Sequence, residues 1–204
     1  MPSADSNPVV AVVLAAGMAT RMGALKQLLP LGDRRLIERV VDQLTVQVGR
    51  VVVVVGYRGD EIAAVLAGRP VECVPNPDVA GGMSSSVQCG IRGAGPAAAY
   101  LICLGDQPVL DGILEPLLAA ANTSPRGILI PTFQGRRGHP LLIRHRYVEQ
   151  ILALGPDQGL NTLTRAHRDD TLEVPVGEQG VLEDLDTPAD YQRALQRIRE
   201  TEHG

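Results

Sequence analysis

VVAVVLAAGMATRMGALKQLL, residues 9–29, decides how the rest of the chain is read. Its opening, Val9 to Ala16, is an unbroken apolar run, the pattern of a strand buried on both faces of a parallel sheet. The run passes into a loop holding Gly17, Thr20, Arg21, Gly23 and Lys26, with hardly a bulky side chain apart from methionine. Small residues let the backbone approach a ligand closely, and glycine takes the positive φ angles that turn N–H groups inward. Arg21 and Lys26 add two cations over whatever those amides hold. A buried strand feeding a glycine-rich, cationic loop is suited to gripping phosphates. A loop that only turned a corner would have no use for the cations.

Outward from this stretch, strand and helix patterns alternate. Arg34 to Val48 carries a helical apolar stripe at Leu36, Ile37, Val40, Val41, Leu44 and Val48, with Gly32 or Asp33 at its start and Gly49 after its end. Val51 to Val55 is all valine, too β-branched and too short for anything but a buried strand. A helix over Gly59–Leu66, a strand over Val71–Val74, a helix near Ser85–Ile91 and a strand over Tyr100–Leu104 follow. After them come a helix over Gly112–Ala121 and strands over Ile128–Ile130 and Leu141–Ile143. This regular alternation predicts an α/β fold, a three-layer α/β/α sandwich around a Rossmann-like, mostly parallel sheet of about seven strands. No internal repeat or Pro/Gly/Ser-rich linker divides the chain, so residues 9–200 read as a single domain behind a flexible N-terminus, residues 1–8.

Composition narrows the function classes. The 204 residues carry a net charge of −4 and only 2% aromatics with no Trp, which gives no basic stripe or stacking surface for nucleic acid. Cys73, Cys89 and Cys103 are odd in number and far apart, and Cys73 and Cys103, in apolar strand-like runs, read as inert core residues, which implies a reducing compartment. MPSADSNP lacks a cationic targeting region, and no apolar stretch reaches the roughly 20 residues needed to cross a bilayer. A cytoplasmic protein without membrane or nucleic-acid partners is expected.

Open parallel sheets bind ligands at the carboxyl ends of their strands. There Asp106 directly follows the strand YLICL, and Pro108 fixes the turn, leaving the carboxylate at the sheet rim. Asp111 is better placed to cap the helix that follows, which frees Asp106 for another task. A second acidic group is Glu183-Asp184-Leu185-Asp186-Thr187-Pro188-Ala189-Asp190. If Val181 to Leu185 is extended, Asp184 and Asp186 share a face while Leu185 packs behind them. Thr187 then caps a helix with Pro188 in its first turn. Acidic residues are favoured at a helix start on electrostatic grounds alone, so the segment reads either as such decoration or as a ligand pair. Gly81-Gly82-Met83-Ser84-Ser85-Ser86 puts three serines at a helix opening, one to cap and two to spare. Gly135-Arg136-Arg137-Gly138-His139-Pro140 reads as a hairpin-like turn with both arginines and the histidine at its tip. With no H-x-x-x-H or Cys/His spacing, zinc is not expected.

The two common nucleotide motifs fail: no glycine lies between Gly17 and Gly23 as G-x-G-x-x-G requires, and Lys26 is followed by Gln27, not Ser or Thr. The arrangement LAAG-x-x-x-R-M-G-x-x-K-x-L-L-P, Leu14 to Pro30, instead resembles the signature loop of the MobA-like nucleotidyltransferases. Within them it is most similar to the molybdenum cofactor cytidylyltransferases. GGMSSSVQCGI resembles the family's G-M-S-S-S segment, GRRGHP its G-R-x-G-H-P, and DLDTP its D-x-D-T-P. The match runs in five ordered segments from Val9 to about Leu195.

The resemblance implies a fold of the nucleotide-diphospho-sugar transferase type. It implies a Mg²⁺-dependent transfer of a nucleoside monophosphate, CMP from CTP, onto a phosphorylated acceptor, the molybdenum cofactor, with release of pyrophosphate. Leu14, Ala15, Ala16, Gly17, Thr20, Arg21, Gly23 and Lys26, with Gly82, Ser84 and Ser85, would then bind nucleotide. Arg21, Lys26 and Asp106 would be catalytic, and Asp106 and Asp186 would hold the metal, with Asp184 as second choice. Arg137, His139 and Asn161 would face the acceptor, and a molybdoenzyme is the implied protein partner. Asn161 stands where the cytidylyltransferases tend to carry the arginine of G-D-x-G-A-R, which removes a cation. Ala15-Ala16-Gly17 resembles the cytidylyl branch, whereas the guanylyl branch more often shows two glycines. Competing readings are the same chemistry on a sugar phosphate, an NAD(P)H-dependent reductase on this scaffold, and a non-catalytic cofactor carrier.

Overall fold

Valine-rich runs extend because two branches at Cβ suit the pleat better than the helix, and buried on both faces they must line up side by side. The computed structural model describes residues 9–17 and 25–203. Residues 1–8, expected to be a flexible lead, and Thr20, Arg21 and Gly23 of the glycine-rich loop lie outside them.

Strand β1 (Val9–Ala15) is followed by a small ladder, β2 (Pro30–Leu31) with β3 (Arg34–Arg35), and by helix α1 (Leu36–Thr45). Then come β4 (Arg50–Val55), α2 (Gly59–Val65), β5 (Val71–Pro75), α3 (Gly82–Ala94), β6 (Ala99–Leu104) and α4 (Leu114–Thr123). The rest is β7 (Ile128–Phe133), β8 (Arg136–Arg137), β9 (Leu141–Arg144), α5 (Val148–Leu152), α6 (Leu160–Ala166), β10 (Thr171–Pro175) and α7 (Pro188–His203). The main sheet has eight strands in the order β10-β7-β9-β6-β1-β4-β5, with β8 paired to β7. β9 runs antiparallel to both its neighbours and β8 antiparallel to β7, while the other pairings are parallel.

Strand alternation sorts the core into two layers. Ala11, Val13 and Ala15 of β1 join Val51, Val53 and Val55 of β4 on one face, under α1, α2, α4 and α7. Val10 and Val12 join Val52 and Val54 on the other, under α3, α5 and α6. From β1 the chain steps to β4 and β5, then returns to β6 on the opposite flank of β1. The carboxyl ends of β1 and β6 therefore border the crevice where such sheets bind ligands.

The α/β/α layering agrees with the sequence reading, but several helix starts differ. α1 begins at Leu36 because Arg34 and Arg35 pair with Pro30 and Leu31; Arg35 is the cap residue, its N–H donating to Glu38 Oε2 at 2.7 Å. α3 begins at Gly82 with Gly81 as cap, so no serine caps it. α4 begins at Leu114 and Asp111 does not cap it, since its carboxylate accepts from Gly112 N at 3.1 Å and its own N–H goes to Gln43 Oε1. Asp106 remains uncommitted to that helix all the same. Gln179–Leu182 forms a turn of 3₁₀ helix, not a strand. The β7–β8 hairpin turns at Gln134 and Gly135, both at positive φ (50° and 76°), so Arg136 and Arg137 lie in the returning strand and not at the tip. Thr187 and Asp190 cap α7 reciprocally as expected, Thr187 N–H to Asp190 Oδ2 at 2.6 Å and Asp190 N–H to Thr187 Oγ1 at 3.2 Å. Among the described residues no helix is long and apolar enough to cross a membrane.

α3 lies unusually close to the sheet. A Cβ on Gly90 would sit 2.3 Å from Val12 Cγ1 and 2.8 Å from Val54 Cγ2. That approach brings the start of α3 over the carboxyl end of β1. Gly90→Ala should cost about 1–3 kcal/mol by overpacking against two stiff valines. Urea unfolding reads this directly, and a variant as stable as the parent would show that the layer yields.

Candidate active site

After β1 the described chain resumes at Leu25, and Leu25 and Gln27 are buried, pinning a turn of 3₁₀ helix at Lys26–Leu28. Lys26 is thereby held under the rim. Its Nζ lies 3.6 Å from Asp106 Oδ2 and donates a hydrogen bond to Asp186 Oδ1. Two acids from distant parts of the chain thus meet on one ammonium. The Lys26 and Asp106 side chains are 16% and 22% exposed, so the contact is largely shielded from water. Burial pushes the Asp106 carboxyl above its ordinary range; Lys26 pulls it back, and Asp184 and Asp186 push it up again. Three acids thus act on this point against a single described cation.

Two carboxylates converging from distant segments fit a divalent metal. Oxygen-only, carboxylate-rich donors suit Mg²⁺ or Mn²⁺, and Asp106 and Asp186 can each offer one. Among the described residues no group of three or more His, Cys, Asp or Glu forms a ready cage. The pair would therefore leave room for phosphate oxygens and water, which Mg²⁺ retains in nucleotide sites.

Beside Asp106 opens a cavity of about 320 Å³, lined by Leu14, Ala16, Gly17, Gln27, Gly82 and Ser86 among others. The Ala15 methyl faces the core on the other side, as alternation along β1 requires. Ser84 and Ser85 are not among the lining residues: Ser84 Oγ donates to Gln158 O, and Ser85 Oγ to Asp78 O at 2.5 Å. The reason is the earlier helix start, which sets Ser86 one turn after Gly82 on the same face. Gln27 and Ser86 escaped the sequence reading; the spacing of Ser86 from Gly82 carried the signal once the helix start is known.

On the other side of Asp106, Gly138 N–H donates to Pro131 O at 3.0 Å and His139 N–H to Val181 O at 3.0 Å. A Cβ on Gly138 would lie 1.9 Å from Val181 O, so only glycine admits this crossing. Gln107, 1% exposed, donates from Nε2 to His139 O at 3.0 Å and Gly180 O at 2.6 Å. Since both partners are carbonyls, the amide orientation is set by them. Its Oε1 is buried, with no hydrogen-bond partner among the described residues. Leu185 N–H completes the crossing by donating to Asp106 O at 3.2 Å. Gln107 had no periodicity or motif to single it out.

Of the residues expected at the acceptor, His139 sits on this crossing, half-buried; burial pushes its imidazole below the ordinary range, against an opposing pull from Asp184. Arg137 is ion-paired with Glu173 of β10 at 2.8 Å, toward the sheet edge. Asn161 is exposed in the first turn of α6, and the Ser84–Gln158 bond ties the loop before it to α3.

A parallel-sheet rim with a cavity, a lysine and two converging carboxylates is a place where an α/β fold can hold a phosphorylated ligand, and likeness to known proteins places this chain among the α/β nucleotidyltransferases. The chain belongs to the MobA-like NTP transferase family, whose domain model matches residues 11–171. It is 27% identical to the molybdenum cofactor cytidylyltransferase of Escherichia coli (strain K12) over 191 residues, 93% of this chain and 96% of that protein. The solved nucleotidyl transferase Mth528 from Methanothermobacter thermautotroptrophicus is 28% identical with a TM-score of 0.82, covering 96% of this chain and 100% of that one. Rv0371C from Mycobacterium tuberculosis H37Rv, solved as a complex with manganese, is 25% identical with a TM-score of 0.79, covering 93% and 98%.

His139 allows a test of the crossing. A histidine held below its unfolded value of 6.5 contributes stability that is complete above that value and is lost as pH falls through the depressed one. We expect its ring proton resonances to titrate below 6.5, and stability to fall between about pH 7 and 5 more steeply than in His139→Gln. A midpoint at or above 6.5 would contradict the burial assigned to it.

Proposed function

We propose that this protein moves CMP from CTP onto a phosphorylated acceptor of the molybdenum cofactor type, releasing pyrophosphate with the help of Mg²⁺. The observation that carries this reading is the meeting of Asp106 and Asp186 on Lys26 beside the cavity at the end of β1. Likeness over nearly the whole length to a molybdenum cofactor cytidylyltransferase supports the choice of nucleotide and acceptor. The manganese complex of Rv0371C supports a divalent ion.

In this mechanism the small Ala16, Gly17 and Gly82 let the nucleotide lie close against the backbone, with Leu14 lining the cavity beside them. When bound by Asp106 and Asp186, Mg²⁺ would supply charge neutralisation for the triphosphate. Lys26, relieved of the carboxylates, turns its ammonium to the departing pyrophosphate, with Arg21 as the expected second cation. The chain supplies no covalent nucleophile; an acceptor phosphate oxygen attacks the α-phosphorus, and rate comes from in-line placement and electrostatics. His139, kept neutral by burial, can donate or accept a hydrogen bond at the acceptor without adding charge. Asn161 offers the acceptor an amide where an arginine would offer a cation. A cytoplasmic setting, where triphosphate and cofactor are available, goes with the reading, as does delivery to a molybdoenzyme.

Pyrophosphate release from CTP and molybdenum cofactor should require Mg²⁺ or Mn²⁺ and should fall at least about 100-fold in Asp106→Asn. GTP should serve less well than CTP. Turnover with a sugar 1-phosphate but not with the cofactor would replace the acceptor, and undiminished turnover in Asp106→Asn would remove the metal pair from the mechanism.

A further inference from the structure

We infer that Gln107 is a positioning residue that holds the two acidic segments of the site in register, so that Asp186 stays opposite Asp106. This rests on the reading of those two aspartates as the metal pair. Asp106 lies two residues past β6, in a turn tied to β1 by Gly105 N–H on Leu14 O at 3.0 Å. Asp186 has no such support: the backbone between the 3₁₀ turn Gln179–Leu182 and the start of α7 at Pro188 belongs to no strand or helix. Glu183 pairs with Arg197 of α7 at 2.7 Å, Asp186 N–H donates to Asp190 Oδ2 at 3.2 Å and Lys26 donates to Asp186 Oδ1, while the backbone contacts that tie the segment to the end of β6 lie on residues 106 and 107. Leu185 N–H reaches Asp106 O, and Gly180 O receives the Gln107 amide at 2.6 Å. The same amide holds His139 O at 3.0 Å, and His139 N–H in turn holds Val181 O. One side chain thus joins three segments, its partners lying 32 and 73 residues away in the chain.

The chemistry of the position argues for orientation over packing. A core position that needed only volume would take leucine or methionine; here the amide is buried with both its donor bonds on backbone carbonyls and its own oxygen unmatched. Groups that hydrogen-bond a metal ligand directly typically alter metal affinity by about 10–100-fold when replaced, without touching the ion; Gln107 acts one step further out, through the backbone of the segments that carry the ligands. Gln107 touches neither metal nor substrate in this scheme and acts through the spacing of others.

Mn²⁺ binding to the purified protein, followed by electron paramagnetic resonance, separates the possibilities. Gln107→Met, which keeps volume and removes both donors, should weaken Mn²⁺ binding by about 10–100-fold. Gln107→Asn, with an amide one methylene shorter, should recover part of that loss. Leu117→Ala, a buried change in α4 remote from the site, serves as the stability control. The inference fails if Gln107→Met binds Mn²⁺ within about twofold of the parent. It fails equally if the loss follows destabilisation alone, as in Leu117→Ala, or if neither Gln107 variant folds, which would make the residue structural only. A different result, no Mn²⁺ bound by the parent or equal binding in Asp106→Asn, would instead overturn the metal reading beneath it.

Discussion

An ammonium group set between two carboxylates is the interaction on which the working end of this molecule turns. Lys26 is held there by a short turn whose neighbours Leu25 and Gln27 are buried, so its position is decided by packing and not by the acids themselves. Acids delivered by β6 and by the chain just before α7 come to meet it. Burial makes a negative charge costly for Asp106 to carry, and Asp184 and Asp186 add to that cost. A cation placed against it is therefore favoured more strongly than beside an exposed aspartate.

The sheet makes the meeting possible. Two parallel neighbours, β1 and β6, end side by side because the chain departs from β1 in one direction and comes back on the other flank. The first strand can then contribute small residues and the second an acid to the same crevice. α3, drawn close through Gly90, closes that crevice from above with Gly82 and Ser86. The walls of the crevice are mostly small and aliphatic, in keeping with a core of Val, Leu, Ile and Ala that leaves aromatic residues at 2%.

Much of this was legible in the residues. Five successive valines admit one reading, and the alternation of such runs with helical stripes led to the layered fold. Asp106 was legible because it follows an apolar run at once, and Thr187-Pro188 because capping chemistry is local. Helix starts went astray where a distant partner intervened: Gln43 takes the Asp111 amide, and the small ladder claims Arg34 and Arg35. The serines misled for a similar reason, since their hydroxyls find carbonyls at Asp78 and Gln158 that no local pattern announces. Gln107 illustrates the limit, because its neighbours exist only after the chain has folded.

The unequal support of the two aspartates bears on how such a protein can change. Asp106 sits in the turn just past β6, a strand in the middle of the sheet, and shifting it would disturb the end of that strand. Asp186 rides on an irregular span that can lengthen, shorten or tilt while the strands stay as they are. A lineage built on this frame could therefore retune the reach of its second acid through a few substitutions near its C-terminal helix.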